Sequence, residues 1–223
     1  MAGRVISVCM PYWCRQAELD LSLSAYRRVY GNLDLEISIC DDGSPEPVVA
    51  PGCTVTRLPA KTIGLNCCVP MNAAVRASSG DVIVLTNPEI EHREDAFSGM
   101  LAMLEGPGDY VVASCRDVDG TWLAGLDVDY TKDGRLPVPP GAHFHFCAML
   151  TRELFERAGG FDEAYRNGRA CEDNDWLWRL DSVGARFRLA PGVVWHRKTP
   201  HRYAGVHETN RDLLFRKWGH RWT

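Results

Sequence analysis

The sequence lacks several features that would have narrowed its function at once. It has no apolar run long enough to cross a bilayer, and no charged segment followed by a long apolar stretch precedes its first apolar run. It has no internal repeat, no low-complexity tract and no composition shift that reads as a linker. Charge of one sign is also scarce. A net charge of −4 over 223 residues gives no basic footprint for a dedicated nucleic-acid binder. The nine cysteines include no CxxC pair, which argues against a structural zinc module. Their number is odd, and Cys9, Cys40, Cys115 and Cys147 lie inside apolar runs, where a free thiol behaves as a small hydrophobe. These absences lead to the expectation of a cytoplasmic chain in a reducing compartment.

What is present reads as alternating strands and helices. Residues 82–85, Val-Ile-Val-Leu, form a short apolar run opened by Gly80-Asp81 and closed by Asn87-Pro88, the pattern of a strand buried on both faces. Further strands are predicted over 5–10, 35–40, 54–58, 110–115, 144–150, 186–189 and 193–195. Helices are predicted over 17–30, 69–77, 95–105, 152–158, 172–183 and 206–218. In the first of these Ala17, Leu21, Ala25 and Val29 recur at four-residue steps and are expected to face inward. The order over the first hundred residues suits parallel βαβ crossovers, hence a doubly wound α/β half. Residues 116–143, rich in Asp, Gly and Pro, are expected to form a long loop or a pair of edge strands. One domain over 1–223 is expected, with halves at 1–115 and 116–223.

Three constellations can carry chemistry. Asp41-Asp42-Gly43-Ser44 follows a strand, where carboxylates can accept from an imide N–H or from ribose hydroxyls; alone, it is also an ordinary turn. Glu172-Asp173 opens a helix. Asp173, Trp176, Leu177 and Leu180 share one face, so Asp173 is expected on the buried side, as a first-turn acid or as a general base kept ionised by the helix dipole. Asn87-Pro88-Glu89 ends the central strand, and Trp195-His196-Arg197-Lys198 follows a later one. Glu89 is either a solvated loop carboxylate or a metal ligand. His196 is either a satisfied core histidine or a nitrogen ligand to the same metal, with Arg197 and Lys198 near phosphate oxygens.

Taken in order, these motifs resemble those of the nucleotide-sugar-dependent glycosyltransferases of the GT-A fold, in particular family 2. Val5-Ile-Ser-Val-Cys-Met-Pro11-Tyr12 resembles that family's opening strand, and Cys40-Asp41-Asp42-Gly43-Ser44 its nucleotide-recognising turn. Asn72-Ala-Ala-Val-Arg-Ala-Ser-Ser-Gly80-Asp81 is similar to the helix and turn before its metal strand. Gly159-Gly160-Phe161-Asp162-Glu163 and Glu172-Asp173 resemble its acceptor-side motif and acid pair. The resemblance implies a Rossmann-like, mostly parallel α/β sheet with a smaller acceptor-side lobe. It implies that Pro11, Tyr12, Asp41 and Asp42 line the nucleoside pocket, that Asn66 to Arg76 approach the donor diphosphate, and that Asn87 hydrogen-bonds a ribose. Glu89 and His196 would hold Mn²⁺ or Mg²⁺, with Asp173 the base and Glu172 beside it orienting substrate groups. The family's usual Asp-x-Asp is replaced here by Asn87-Pro88-Glu89, which removes one negative charge from the metal site.

The reaction so implied moves a sugar from a nucleoside-diphosphate sugar, with uridine as the expected base, to a hydroxyl on a glycan, a protein, a small molecule or a modified nucleobase. Inversion follows if one base attacks opposite the leaving group. Two rivals stand beside it. A nucleotidyltransferase would want a Gly-rich basic loop where Pro11-Tyr-Trp-Cys-Arg15 stands; a non-catalytic sugar- or protein-binding relative is favoured only by Asn87. Trp122, Tyr130, Trp176, Trp178 and Trp195 are candidate aromatic platforms. The basic tail with Arg202, Arg211, Arg216, Lys217 and Arg221 is a candidate contact for a lipid, a membrane surface or a nucleic acid, or a plain closing helix.

Overall fold

A computed structural model describes residues 5–61, 66–120, 146–197 and 207–219. The predicted loop at 116–143 with Trp122 and Tyr130 falls largely outside them, as do Lys198, Arg202 and Arg221. The first half lays β1 (Ile6–Tyr12), β2 (Leu35–Asp41), β3 (Thr54–Arg57) and β4 (Val82–Thr86) side by side as parallel strands, joined through α1 (Gln16–Val29) and α2 (Cys68–Arg76). All five residues of β4 are buried, because it runs in the middle of the sheet with covered faces.

The second half turns the sheet mixed. β5 (Ile90–Glu91), α3 (Phe97–Met103), β6 (Asp109–Asp117), β7 (Cys147–Thr151), α4 (Arg152–Ala158), a 3-10 turn at Glu163–Asn167, α5 (Glu172–Ser182), β8 (Arg186–His196) and α6 (His207–Trp218) follow in order. The eight-stranded order is β3-β2-β1-β4-β7-β6-β8-β5, with β7 antiparallel to both neighbours and β5 antiparallel to β8. The predicted strands at 186–189 and 193–195 are one strand. Pro191 and Gly192 sit at a register shift against Ala113 and Ser114, a bulge that absorbs a proline unable to donate to the ladder.

The predicted inner face of α1 holds only in its second half. Ala25 is buried and Val29 packs against the core as expected, but Leu21 is 52% exposed and Ala17 is exposed, while Leu19, Ser22, Leu23, Tyr26 and the following Tyr30 are buried. A step of four residues drifts around a helix of 3.6 residues per turn, so a stripe built only from such steps leaves the face. Buried Ser22 has a reason to be there: its Oγ meets the carbonyls of Pro88 at 2.6 Å and Ile90 at 2.9 Å, bracing the turn that carries Glu89. His92 anchors the same segment, with Nε2 3.2 Å from the Tyr26 hydroxyl and Nδ1 2.7 Å from the Tyr30 hydroxyl. Burial pushes its pKa down to about 3, so it is a neutral structural imidazole.

Candidate active site

Because β1, β2 and β4 are parallel and in register, their carboxyl ends meet at one sheet edge, with Tyr12 opposite Asp41. A cleft of about 480 Å³ opens there. It brings together Pro11, Tyr12, Asp42, Asn66, Asn87 and Glu89 with Glu172, Asp173 and His196, nine of the residues singled out above.

At one end Asp42 is nearly buried and forms an ion pair with Lys61, which also stands 5.6 Å from the Trp13 ring centroid. Gly43 makes the turn possible. Its φ is +69°, and a Cβ there would sit 2.3 Å from the Ala60 backbone. Asp41 is placed elsewhere. Consecutive residues point to opposite sides of a strand end, and the Asp41 carboxylate turns away from the cleft. It accepts from Ser44 N at 2.9 Å, from Val48 N at 3.3 Å and from Arg57 Nη1 at 3.0 Å. It closes the turn that presents Asp42.

Asn66 enters α2, its Oδ1 accepting from Cys68 N at 2.9 Å. Arg76 does not approach the cleft. It lies in the last turn of α2, roughly 12 Å along the axis from Cys68 at 1.5 Å per residue, where it pairs with Glu163 at 3.5 Å. On the far side, Glu89 Oε1 stands 3.9 Å from His196 Nε2, and the Arg197 N–H donates to the Glu89 carbonyl at 3.0 Å, tying the β4 turn to the end of β8. Among the described residues no group of three His, Cys, Asp or Glu is placed to hold a metal. Arg197 pairs with Glu91 at 3.2 Å.

The acid pair comes from α5. Ala170 and Cys171 precede it with φ of +59° and +70°, two consecutive non-glycine residues in the left-handed region. Such strain persists only where the surroundings enforce it. Here the buried Asn210 of α6 does so: its Nδ2 donates to the Tyr165 carbonyl at 3.0 Å and to the Ala170 carbonyl at 2.9 Å. Only glycine fits at position 168, where a Cβ would lie 2.2 Å from Asn210 Oδ1. Asp173 is half-buried rather than on the buried face. Glu172 and Asp175 are the buried acids: Asp175 is covered by Lys217 and Trp218 of α6, and Glu172 lies against Asn66 at the start of α2. Burial, reinforced by the neighbouring Asp173 carboxylate, pushes the Glu172 carboxyl well above the usual range. Cys67, also lining the cleft, is pushed up by burial and then by the same two acids, which makes it a poor nucleophile.

Sequence reasoning missed Trp13, Lys61, Arg169 and Phe146 as cleft residues, and Asp175 and Asn210 behind it. Trp13 adjoins the quoted strand and Asp175 stands two positions after Asp173 in the predicted helix, so both could have been included; Lys61 and Arg169 arrive on loops and Asn210 on a distant helix, with no local motif. Of the predicted aromatic platforms, Trp176 and Trp178 are core, Trp176 stacking on Phe161 at 4.8 Å, and Trp195 packs against Arg93.

By sequence, no family model and no curated protein matches the chain. By structure it matches a mannosyltransferase from Pyrobaculum calidifontis in complex with GDP-Man and Mn²⁺, with a TM-score of 0.65 and 20% identity over 90% of this chain and 58% of that one. GalNAc-T7 with UDP, GalNAc and Mn²⁺ matches with a TM-score of 0.75 and 14% identity, over 97% of this chain and 48% of that one. A fragment of S. aureus TarS in complex with UDP-GlcNAc gives 0.70 and 12%, over 89% and 61%. The chain has the GT-A fold. It spans about half to three-fifths of the length of these GT-A structures. In this GT-A chain the cleft lies at the carboxyl edge of the parallel strands, where ligands of open α/β sheets bind.

Proposed function

We propose that this chain is a family 2-like glycosyltransferase that moves a sugar from a nucleoside-diphosphate sugar, with uridine as the preferred base, to an acceptor hydroxyl. One observation carries the reading: a single cleft joins the buried carboxylate of Asp42, a Glu–His pair and an acid pair at a helix N-terminus. Each half of the chain then has a task, residues 1–115 holding the donor and 116–223 the acceptor.

Asp42, held by Lys61, accepts the imide N–H of the base beside Pro11 and Tyr12, and Asn87 hydrogen-bonds the ribose. Glu89 and His196 would hold a divalent cation, Mn²⁺ or Mg²⁺, between them. An oxygen and a nitrogen donor 3.9 Å apart need only a small adjustment to share one ion, and two protein ligands suit cations that complete their shell with phosphate oxygens. When bound, that cation supplies charge neutralisation for the leaving diphosphate. Asp173, in the first turn of α5, takes the acceptor proton. The anomeric carbon's bond to the diphosphate oxygen breaks as its bond to the acceptor oxygen forms, and attack opposite the leaving group inverts the centre. None of the nine cysteines is in a disulfide, which fits a cytoplasmic enzyme. Among the described residues no helix is long and apolar enough to cross a membrane.

The test is nucleotide release from UDP-sugars and GDP-mannose with and without Mn²⁺, in the wild type and in Asp173→Asn. Release that needs the metal and is lost in the variant, with nucleotide binding intact, supports the reading. Equal release by the variant removes Asp173 from the mechanism.

A further inference from the structure

Four carboxyl groups line the cleft, those of Asp42, Glu89, Glu172 and Asp173, and a nucleoside diphosphate brings further negative charge to it. Like charges placed together without an intervening cation oppose binding. Arginine or lysine stands at three positions of the cleft, Arg15, Lys61 and Arg169. Lys61 is taken up by Asp42, and Arg15 stands 3.7 Å from Glu18. Arg169 differs. Among the described residues, this half-buried side chain has neither a carboxylate at ion-pair distance nor a hydrogen-bond partner. A guanidinium carries five N–H donors in a planar fork that matches phosphate oxygens, so one left uncommitted in a cleft is a ready anion site.

The backbone under this side chain is held on both sides. Position 168 takes only glycine, since a Cβ there would lie 2.2 Å from Asn210 Oδ1, and the Ala170 carbonyl accepts from Asn210 Nδ2 at 2.9 Å. Ala170 and Cys171 follow in the left-handed region and lead into α5. Asn210 thus fixes where Arg169 leaves the chain, four residues before Asp173, which lowers the cost of ordering it on a ligand. The Glu89 side of the cleft offers less charge to a diphosphate, because Asn87 replaces a carboxylate there and Glu89 and His196 gain no third His, Cys, Asp or Glu among the described residues.

We propose that Arg169 is a catalytic residue of this cleft, whose guanidinium binds oxygens of the donor's β-phosphate and holds them as the diphosphate leaves. The proposal rests on the nucleotide-sugar reading above, which requires this anion and no other. The β-phosphate is the one joined to the anomeric carbon, so it lies towards the acid pair, into which the Arg169 segment leads. When the bond from the anomeric carbon to the diphosphate oxygen breaks, its electron pair stays on that oxygen, and the acceptor's proton passes to Asp173. Arg169 keeps its own proton throughout and stabilises the charge that gathers on the leaving oxygens. Part of the affinity for the diphosphate then resides in the protein and persists without a divalent cation.

The experiment is titration calorimetry with UMP, UDP, GMP and GDP, without divalent cation, on the wild type, Arg169→Ala, Arg169→Lys and Arg166→Ala. Arg166 is exposed in the preceding 3-10 turn and lies outside the cleft, so its variant removes the same charge from the surface only; a thermal melt of each variant checks folding. For the diphosphate that the wild type binds, Arg169→Ala is expected to weaken affinity roughly tenfold or more, as for lost hydrogen bonds to a charged group, and for its monophosphate less than about threefold. Arg169→Lys, which keeps the charge but not the fork, recovers part of the loss. Arg166→Ala changes either affinity by less than about twofold. With Mn²⁺ restored and donor saturating, turnover of Arg169→Ala is expected to fall roughly 10²-fold. Unchanged diphosphate affinity in Arg169→Ala overturns the proposal, and a fall in turnover beside it would assign the guanidinium to an anionic group of the acceptor. An equal loss in Arg166→Ala reduces the effect to net charge, and an equal loss for the monophosphate moves the contact off the leaving phosphate; either overturns it too. So does a wild type that binds a diphosphate only with Mn²⁺, and unchanged turnover removes the catalytic role. Wild type that binds none of the four nucleotides, with or without Mn²⁺, contradicts the nucleotide-sugar reading itself, a result distinct from all of these.

Discussion

Asp175 offers a separation between what holds this site together and what would react in it. It is fully buried in α5, two positions after Asp173, and accepts from Trp218 Nε1 at 2.8 Å and from the Tyr165 hydroxyl at 3.3 Å while pairing with Lys217. Asp175→Ala strands the indole and phenol donors. The lysine is less harmed, being 29% exposed and already 2.7 Å from Asp162. Charged hydrogen bonds of this kind contribute about 1.5–3 kcal/mol each. Counting the indole and phenol bonds each at the low end and the ion pair hardly at all gives a loss of about 3 kcal/mol. In a domain of this size that lowers Tm by roughly 6–12 °C. Thermal unfolding followed by circular dichroism reads it directly. Asp173→Asn, at a half-buried cleft position, should move Tm by no more than about 2 °C, the scale of a substitution away from the core. A shift under about 2 °C for Asp175→Ala would show that α6 does not lock α5 through this carboxylate.

Other perturbations probe the cleft and its supports. Asp173→Asn should reduce turnover by roughly 10²–10⁴, the span of general-base contributions, with nucleotide affinity unchanged by calorimetry. Asn210→Ala releases the Tyr165 and Ala170 carbonyls that hold the left-handed residues before Glu172, so turnover should fall more than nucleotide affinity, in a comparison of kcat with the nucleotide Kd. His92 has a pKa pushed down to about 3 from an ordinary value of 6.5, so the unfolded chain binds a proton across that interval which the folded chain refuses. Its contribution is complete above pH 6.5 and is lost as pH falls towards 3. Tm measured from pH 7 to 4.5 should therefore decline more steeply in the wild type than in His92→Phe; parallel curves would contradict the burial of a neutral imidazole.

Much of the cleft's first-half wall was legible because the ends of parallel strands are marked locally. An apolar run, a turn and a carboxylate identify the edge at Asp42 and at Glu89, and register then does the assembly. The sequence did not distinguish Asp41 from Asp42, since which of two adjacent acids faces the cleft depends on the phase of the strand end. Nor did it separate Asp173 from Asp175, because Asp175 is covered by Lys217 and Trp218 of α6, 42 and 43 residues further on. Lys61 and Arg169 come from connecting loops, whose side-chain directions follow tertiary packing rather than any period. The antiparallel β7 was hidden for a related reason: a short apolar strand reads the same in either direction.

The most direct test of the account is calorimetric titration with UDP in the presence and absence of Mn²⁺, for the wild type, Asp42→Ala and Glu89→Ala. The account predicts binding that strengthens with Mn²⁺ in the wild type, loses that enhancement in Glu89→Ala and is weakened with or without the ion in Asp42→Ala. Binding of equal strength in all three proteins, or no binding of UDP by the wild type under either condition, would contradict it.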